Sequence, residues 1–590
     1  MNKLSLIFLS TIPFIVSSTW LSLPLTNLVN GCGMTCNKNG PFVCLGVLNY
    51  NDCFHACTNL GNCTLFTWSE ATSNCWTRTD NIWDEEGDSG ANSACLVGSN
   101  PKCAPPLPPY NGTNITFSIN TVSPIITTHP LSPAVTLDFW RHDDPTFGIK
   151  WGNSSAISID VTNPLLRNLT SLLGPGLLRL GGSPEDSLVY DTDGTCVPGS
   201  GGNGPAPNGY YCSQVHPYEY DCLTPQRWQD LLNFAQSTGM KIAMGLNGCY
   251  GRMSSNTSMD FSNVQALLKD TASSQYIEGF WGLELSNEVV PNTISPYIWG
   301  QDATTIHTMA KSIFGYNVPI VGPDQGGSSP IAEVAKTTAP GTLAAFTYHQ
   351  YPECIAPTTS PFVFTVDCLY TIDTQAQQCV NASQSNGPNP AGVWAGETAD
   401  HSGGGIFNLT DTFRSSFYYA YQLGALPVNG VELGARQTLS GGAYSLLQVS
   451  NFQPNPDYFI IWFYRTLIGG SAKAFEVTSD LYFNYTGVRV FVFSAAPSTN
   501  ARYTVLAINL RTDTGFSLNL QGNDITPNNM RTEYHLTGDV TVENGVINCN
   551  TIPLVVNPST NLPPSMSTLG KTTNGAMNIA ASSIVYATIQ

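Results

Sequence analysis

The sequence predicts an α/β chain: a parallel (β/α)8 barrel of the TIM type, with a β-sandwich after it and a small disulfide-rich module before it. Three observations predict this. Eight short apolar runs recur between residues 130 and 469, separated by segments of helical spacing. Strands alternating with helices call for a parallel sheet, and eight such units close a barrel. From residue 470 to 590 the helical period gives way to short apolar runs between turns rich in Asn, Gly, Pro and Ser, the pattern of a sandwich. Nine of the 17 cysteines crowd between Cys32 and Cys103.

At the start, Met1-Asn2-Lys3, the apolar run Leu4 to Val16 and then Ser17-Ser18 follow the order of a secretory signal peptide over residues 1–18. The run is shorter than the ~20 residues a helix needs to cross a bilayer. Within residues 32–103, the spacing Cys53-x3-Cys57-x5-Cys63, followed by Leu65-Phe66-Thr67-Trp68 and Cys75-Trp76, resembles the PAN/apple adhesion module. That resemblance implies a short helix stapled to a sheet and a protein or carbohydrate ligand. Residues 104–129 read as a linker, stiffened by Pro105-Pro106-Leu107-Pro108-Pro109, and a lead-in strand.

The eight barrel strands are expected at Val135–Phe139, Leu177–Leu180, Ile242–Leu246, Gly282–Ser286, Pro319–Gly322, Ala344–Tyr348, Val393–Gly396 and Val431–Leu433. Helices are expected at Pro225–Thr238, Asn263–Asp270, Gln301–Ile313, Ile331–Lys336 and Asp411–Leu423, with Thr224 and Pro225 as N-cap and first helical residue. In the terminal domain, Val488–Ser494, Tyr503–Leu510, Phe516–Leu520 and Ile584–Ile589 read as strands.

Composition excludes some partners. Only 11% of the residues are charged and the net charge is −18, so the overall field repels a polyanion. The two closest basic residues, Arg465 and Lys473, are eight positions apart, so no linear basic cluster exists for nucleic acid. Later stretches are too short to span a bilayer, and no apolar anchor precedes Gln590. Nine Asn-x-Ser/Thr sequons begin at Asn62, Asn111, Asn114, Asn153, Asn168, Asn256, Asn381, Asn408 and Asn484. Together with 17 cysteines they suit an extracellular or lysosomal protein with disulfides and at least one thiol free or paired outside the chain.

The chemistry is expected where strands four and seven end. Trp281-Gly282-Leu283-Glu284-Leu285-Ser286-Asn287-Glu288 is an apolar run closing on an Asn-Glu pair, and Val393-Trp394-Ala395-Gly396-Glu397-Thr398 repeats the plan. Two carboxylates brought by separate strands to one barrel mouth are what glycoside hydrolysis requires. Asn287 beside Glu288 is placed to hydrogen-bond a sugar 2-hydroxyl. Glu284 reads as a buried structural carboxylate, His349 as a rim residue or substrate contact, and Tyr351 and Trp140 as packing or stacking aromatics.

Further stretches extend this pattern: Val135-Thr136-Leu137-Asp138-Phe139-Trp140, Leu178-Arg179-Leu180-Gly181-Gly182-Ser183-Pro184-Glu185-Asp186, Cys222-Leu223-Thr224-Pro225-Gln226-Arg227-Trp228, Gly245-Leu246-Asn247 and Asn455-Pro456-Asp457-Tyr458. With the two glutamate segments and Gly403-Gly404-Gly405, the chain from about residue 130 onward resembles glycoside hydrolase family 79, the heparanase and β-glucuronidase family, in its plant-type branch. The resemblance implies retaining hydrolysis of β-glucuronosyl linkages, with Glu288 as acid/base and Glu397 as nucleophile. It implies substrate contacts from Asp138, Ser183 and Asn287, and a uronate carboxylate held by backbone amides of Gly403 and Gly404 and by Tyr444. No cofactor or metal is needed.

Two departures stand out. Val289 follows the acid/base, and Ala399-Asp400-His401-Ser402 lacks the tyrosine that often precedes the glycine run, leaving His401 or Ser402 to supply its hydrogen bond. The loop Gly194–Tyr220 carries Cys196 and Cys212 but no Lys or Arg, so a weakly charged glucuronide is expected over heparan sulfate. The alternatives are an endo-acting heparanase-like enzyme on glycosaminoglycan and a carbohydrate-binding protein with an inactive barrel.

Overall fold

The computed structural model describes residues 113–140, 148–196, 221–354, 363–386 and 391–590, together with the backbone of five strands between Gly33 and Cys95. The expected signal peptide, the proline run and nearly all of the 194–220 loop lie outside the described residues. The chain divides into two compact units, residues 1–111 and 112–590. In the first, strands Gly33–Thr35, Phe42–Leu45, Leu65–Ser69, Asn74–Arg78 and Ala91–Cys95 pair antiparallel in the order first, second, fourth, third, fifth. The helix and cysteine pairing expected of an apple module lie outside the described residues.

The second unit contains a closed barrel of eight parallel strands: β1 (Ala134–Asp138), β2 (Gly176–Gly181), β3 (Met240–Leu246), β4 (Phe280–Leu285), β5 (Ile320–Gly326), β6 (Ala345–Gln350), β7 (Gly392–Thr398) and β8 (Leu433–Arg436). Each pairs with its neighbours in sequence, and β8 closes on β1 through Ala435↔Ala134 and Arg436↔Val135. A helix follows each strand: α1 (Pro164–Ser171), α2 (Pro225–Thr238), α3 (Ser262–Ser273), α4 (Pro296–Phe314), α5 (Ser328–Thr337), α6 (Val366–Asn386), α7 (Phe413–Val428) and α8 (Pro456–Leu467).

Local chemistry sets several helix starts. The pairs Asn163-Pro164, Thr224-Pro225 and Ser295-Pro296 each place a capping oxygen before a proline whose fixed φ suits the first helical residue, and each cap accepts a backbone N–H of the first turn. Gly239 and Gly315 end α2 and α4 in the left-handed conformation.

The last strand lies two residues beyond its expected position, because it ends in Arg436, a charge that periodicity assigns to the surface. Arg436 is fully buried, and its Nη2 donates to Asp457 Oδ2 at 2.6 Å. Ser415 and Ser416 of α7 donate to the same carboxylate. α8 was not anticipated. Tyr458 to Tyr464 are all buried, so every side of this stretch is covered.

The burial follows from what lies beyond it. Phe463 stacks on Tyr586 at 5.7 Å and the Tyr586 hydroxyl donates to the Ile460 carbonyl, so strands after residue 470 cover the outer face of α8. Those strands and two from before the barrel form one sheet of twelve, ten along a hydrogen-bonded path and two pairing to it from the side. The lead-in strand Asn114–Asn120 belongs to this sheet, parallel to Phe516–Gly522 and antiparallel to Lys473–Ser479. The lead-in strand expected within residues 104–129 thus belongs to the terminal sheet: the unit starts in that sheet, builds the barrel and returns.

Two disulfides are described, Cys196–Cys222 and Cys354–Cys368, and Cys379 and Cys549 are buried free thiols. No helix among the described residues is long and apolar enough to cross a membrane.

Removing one member of a buried ion pair leaves an uncompensated charge, at a cost of about 3–5 kcal/mol. Asp457→Ala is expected to destabilise the protein by that amount in denaturant titration. Asp513→Ala, at the half-exposed Arg511–Asp513 pair, is expected to cost less than ~1 kcal/mol.

Candidate active site

The C-terminal ends of six barrel strands send polar side chains to one place, organised by Arg179 of β2. Its Nε donates to Glu284 of β4 at 2.6 Å and its Nη1 to Glu397 of β7 at 2.7 Å. Nη2 donates to Asn287 Oδ1 at 2.8 Å and to Asp324 of β5, and it lies 3.6 Å from Glu185. The guanidinium is buried, so these groups supply the neutralisation that water cannot.

Glu397 lies within β7. Besides Arg179, its carboxylate accepts the hydroxyl of Tyr351, which follows β6. Glu288 does not end its strand. It lies three residues past β4 in a turn where Ser286 (φ 61°) and Glu288 (φ 57°) take left-handed conformations, uncommon for residues with a Cβ and concentrated at functional sites. The turn is held by the Glu288 N–H on the Asp324 carbonyl at 2.9 Å and by the Asn287 N–H on Asp186 at 2.8 Å. It leaves 41% of the Glu288 side chain exposed, against 11% for Glu397.

His349 of β6 joins the two. Its Nδ1 is 2.7 Å from Glu288 Oε1 and 3.9 Å from Glu397 Oε1, and its Nε2 is 2.8 Å from Asp324. It is buried behind Glu288, so its expected place on the rim is corrected: both ring nitrogens face carboxylates. Burial disfavours the imidazolium, but the charges of Asp324 and Glu397 outweigh it and hold the pKa well above the usual histidine value.

The carboxyls divide by environment. Burial would raise Asp324, yet Arg179 and His349 bring it down to about 2. Burial pushes Glu284 up to about 8, reinforced by the charge of Asp324, and burial followed by the charge of Glu397 pushes Asp138 up to about 8. Glu284 is buried and is joined to Glu397 through Arg179.

Asp138 ends β1 and accepts from Gln437 Nε2 at 2.7 Å. Gly182 makes room for it: φ there is +84°, and a Cβ would come within 2.7 Å of the Asp138 carboxyl carbon. Ser183, half-buried, follows directly at the start of a 3-10 turn.

The glycine run lies after β7, with Gly403, Gly404 and Gly405 all at positive φ. The Gly404 carbonyl accepts the Ala443 N–H at 2.7 Å, joining the run to the segment that carries Tyr444. Tyr444 is buried with Trp140, Trp151 and Ala399, and Tyr351 packs against this cluster. Tyr351, expected as a stacking or packing aromatic, thus also hydrogen-bonds Glu397. The Ser402 hydroxyl donates to Glu353 at 2.6 Å, and His401 Nδ1 lies 3.8 Å from the same carboxylate.

With this geometry in view, the model of glycosyl hydrolase family 79, N-terminal domain, matches residues 114–424, more than half of the chain. The chain belongs to glycosyl hydrolase family 79. It is 27% identical over 408 residues to heparanase-like protein 1 of Arabidopsis thaliana, covering 65% of this chain and 71% of that one. It is 25% identical over 509 residues to the baicalin-β-D-glucuronidase of Scutellaria baicalensis, covering 79% and 90%. Mouse heparanase is 26% identical over 398 residues, covering 59% and 69%. Among solved structures, a 4-O-α-L-rhamnosyl-β-D-glucuronidase from Fusarium oxysporum shares the fold with a TM-score of 0.55 at 15% identity, over 80% of this chain and all of that one. The protein is a glycoside hydrolase.

Several residues of this family 79 site were not singled out from sequence. Arg179 carried the best signal, a lone charge inside the apolar run Leu177–Leu180. Asp324 lies past the expected end of strand five and Gln437 past that of strand eight, where no period marks them. Asp324, His349 and Glu397 approach one another closely enough to ligate a metal, but Arg179 already bonds both carboxylates and supplies the cation.

The raised acids set the pH dependence of stability. Folded Asp138 keeps its proton to about pH 8 and Asp186, pushed up by burial, to about 7, whereas an unfolded aspartate releases it near ~4. Between those values the folded state binds more protons, so stability falls as pH rises. Urea titrations of wild type are expected to show this loss from pH 5 to 8. Asp138→Asn is expected to lessen the slope by roughly 1 kcal/mol per pH unit.

Proposed function

We propose that this chain is a secreted retaining β-glucuronidase-type hydrolase in which Glu397 attacks the anomeric carbon and Glu288 is the acid/base. The observation that carries the reading is the pair of distances from His349 Nδ1 to the two glutamates. Because both start at one atom, Glu288 Oε1 and Glu397 Oε1 are at most about 6.6 Å apart, compatible with the ~5–5.5 Å of retaining pairs and short of nearly all of the ~6.5–9.5 Å span of inverting ones.

Environment supports the division of roles. Arg179 and Tyr351 donate to Glu397 and aim it. The more exposed Glu288 protonates the glycosidic oxygen as Glu397 bonds to the sugar, then takes a proton from water as the glycosyl ester is hydrolysed. Arg179 orients the Asn287 amide by holding its oxygen, leaving Nδ2 to donate to the 2-hydroxyl. Asp138 and Ser183 line the same sugar, and the amides of Gly403 and Gly404 with Tyr444 receive its carboxylate. The names of the glucuronidase and heparanase relatives support a uronic acid substrate. The leader-like N-terminus, sequons and disulfides support secretion.

Burial raises the Glu288 carboxyl, but the hydrogen bond and charge of His349 outweigh it and leave the pKa below the usual glutamate value. The general acid is therefore protonated only at acidic pH, and kcat/KM is expected to fall as pH rises towards neutrality. His349→Gln removes the lowering influence, so this limb is expected to move to higher pH in a kcat/KM profile.

Hydrolysis of an aryl β-D-glucuronide against the matching glucoside tests the reading. The glucuronide is expected to be preferred, and Glu397→Ala is expected to lose about 10⁴-fold or more in kcat. Glu288→Ala is expected to spare dinitrophenyl leaving groups, which need no proton, far more than alkyl ones. Equal losses on both classes would remove Glu288 from its assigned role.

A further inference from the structure

Asp186 is a buried acid to which the mechanism above gives no part. It lies in the 3-10 turn Ser183–Ser187 that follows β2. Its carboxyl group meets backbone amides of two other loops. Oδ1 accepts the Gly248 N–H at 3.0 Å, just past β3, and Oδ2 accepts the Asn287 N–H at 2.8 Å, just past β4. One side chain thus ties together the loops of three consecutive strands at the barrel mouth.

Both amides belong to backbone that bears on Glu288. The Gly248 carbonyl accepts Nε and Nη2 of Arg252 at 2.9 and 2.8 Å, and Arg252 is anchored on Asp302 of α4 at 2.6 Å. The Gly248 residue is therefore held from both of its ends. A Cβ there would come within 2.6 Å of Ser286 Cβ, so the loop after β3 lies directly against the turn that carries Glu288. Ser286 and Glu288 are left-handed, a conformation that persists only where the surroundings enforce it. Asn287 stands between them. Arg179 grips its side chain and Asp186 its backbone.

We propose that Asp186 is a positioning residue for the acid/base: by holding the Gly248 and Asn287 amides on one buried carboxyl group, it fixes the turn that aims Glu288 at the glycosidic oxygen. This deepens the function proposed above and rests on it. A misplacement of about 1 Å in a positioned group costs about a hundredfold in rate. Proton donation by Glu288 feels that error most where the leaving group needs the proton.

The test compares kcat/KM for a dinitrophenyl and an alkyl β-D-glucuronide in wild type, Asp186→Asn, Gly248→Ala and Glu288→Ala. Asp186→Asn keeps the shape of the side chain but turns an NH2 donor towards one of the two amides. It is expected to lose about a hundredfold on the alkyl substrate and far less on the dinitrophenyl one, the same leaving-group signature as Glu288→Ala. Equal losses on both substrates, or a lowered melting temperature with unchanged kinetics, would make Asp186 a structural residue only and overturn the proposal. Should Asp186→Asn fail to fold, Gly248→Ala decides, because its methyl group presses on the same turn and leaves the carboxyl intact. A loss weighted towards the alkyl substrate supports the proposal, and equal losses or unchanged kinetics overturn it. Glu288→Ala separates the two readings. Equal losses in that variant, or a wild type that turns over neither glucuronide, overturn the assigned function and the role of Asp186 with it. A leaving-group signature in Glu288→Ala that is missing from Asp186→Asn overturns the positioning role alone.

Discussion

The site depends on one buried guanidinium. Arg179 lies in an otherwise apolar strand, where an unpaired charge would cost several kcal/mol. The fork of Nε, Nη1 and Nη2 is matched to Glu284, Glu397, Asp324 and Asn287, residues contributed by three strands and a turn. Without the cation these carboxyls would repel, and some would take up protons to relieve it. With it, Asp324 stays ionised. Asp324 in turn holds His349, and His349 holds Glu288. A lysine has neither the number of donors nor the planar spread to do this.

Much of the barrel was legible. Eight apolar runs separated by helical segments gave the strand count, and the Thr224-Pro225 start of α2 was readable from cap chemistry alone. What escaped has a common cause. Arg436, Arg179 and Asp457 are charges in buried positions, and polar-out periodicity misplaces them because their partners come from distant parts of the chain. α8 escaped for the opposite reason, since the terminal sheet covers its outer face and Tyr458 to Tyr464 read as one unbroken apolar run. The lead-in strand was recognisable as a strand, but its pairing with residues some 350–400 positions later is not written locally.

The candidate site was legible by halves. Glu288 and Glu397 stood out because an acid after an apolar run is conspicuous. The left-handed turn that carries Glu288, and the direction in which His349 points, are products of packing. Tyr351 was visible as an aromatic, but its hydroxyl contact with Glu397 depends on how β6 and β7 run side by side.

Similar groups thus acquire different functions from their surroundings. Glu284 and Asp138 are buried into their neutral forms, Asp324 is held ionised, and Glu288 lies at the cleft under the influence of His349. The central claim is that Glu397 is the carboxylate that becomes covalently bonded to the sugar. The most direct measurement is to incubate the enzyme with a 2-deoxy-2-fluoro-β-D-glucuronosyl fluoride, which slows release of the glycosyl ester, and to locate the label by peptide mass spectrometry. The account predicts one label per chain, on Glu397. A label on Glu288, or turnover to an inverted product with no label at all, would contradict it.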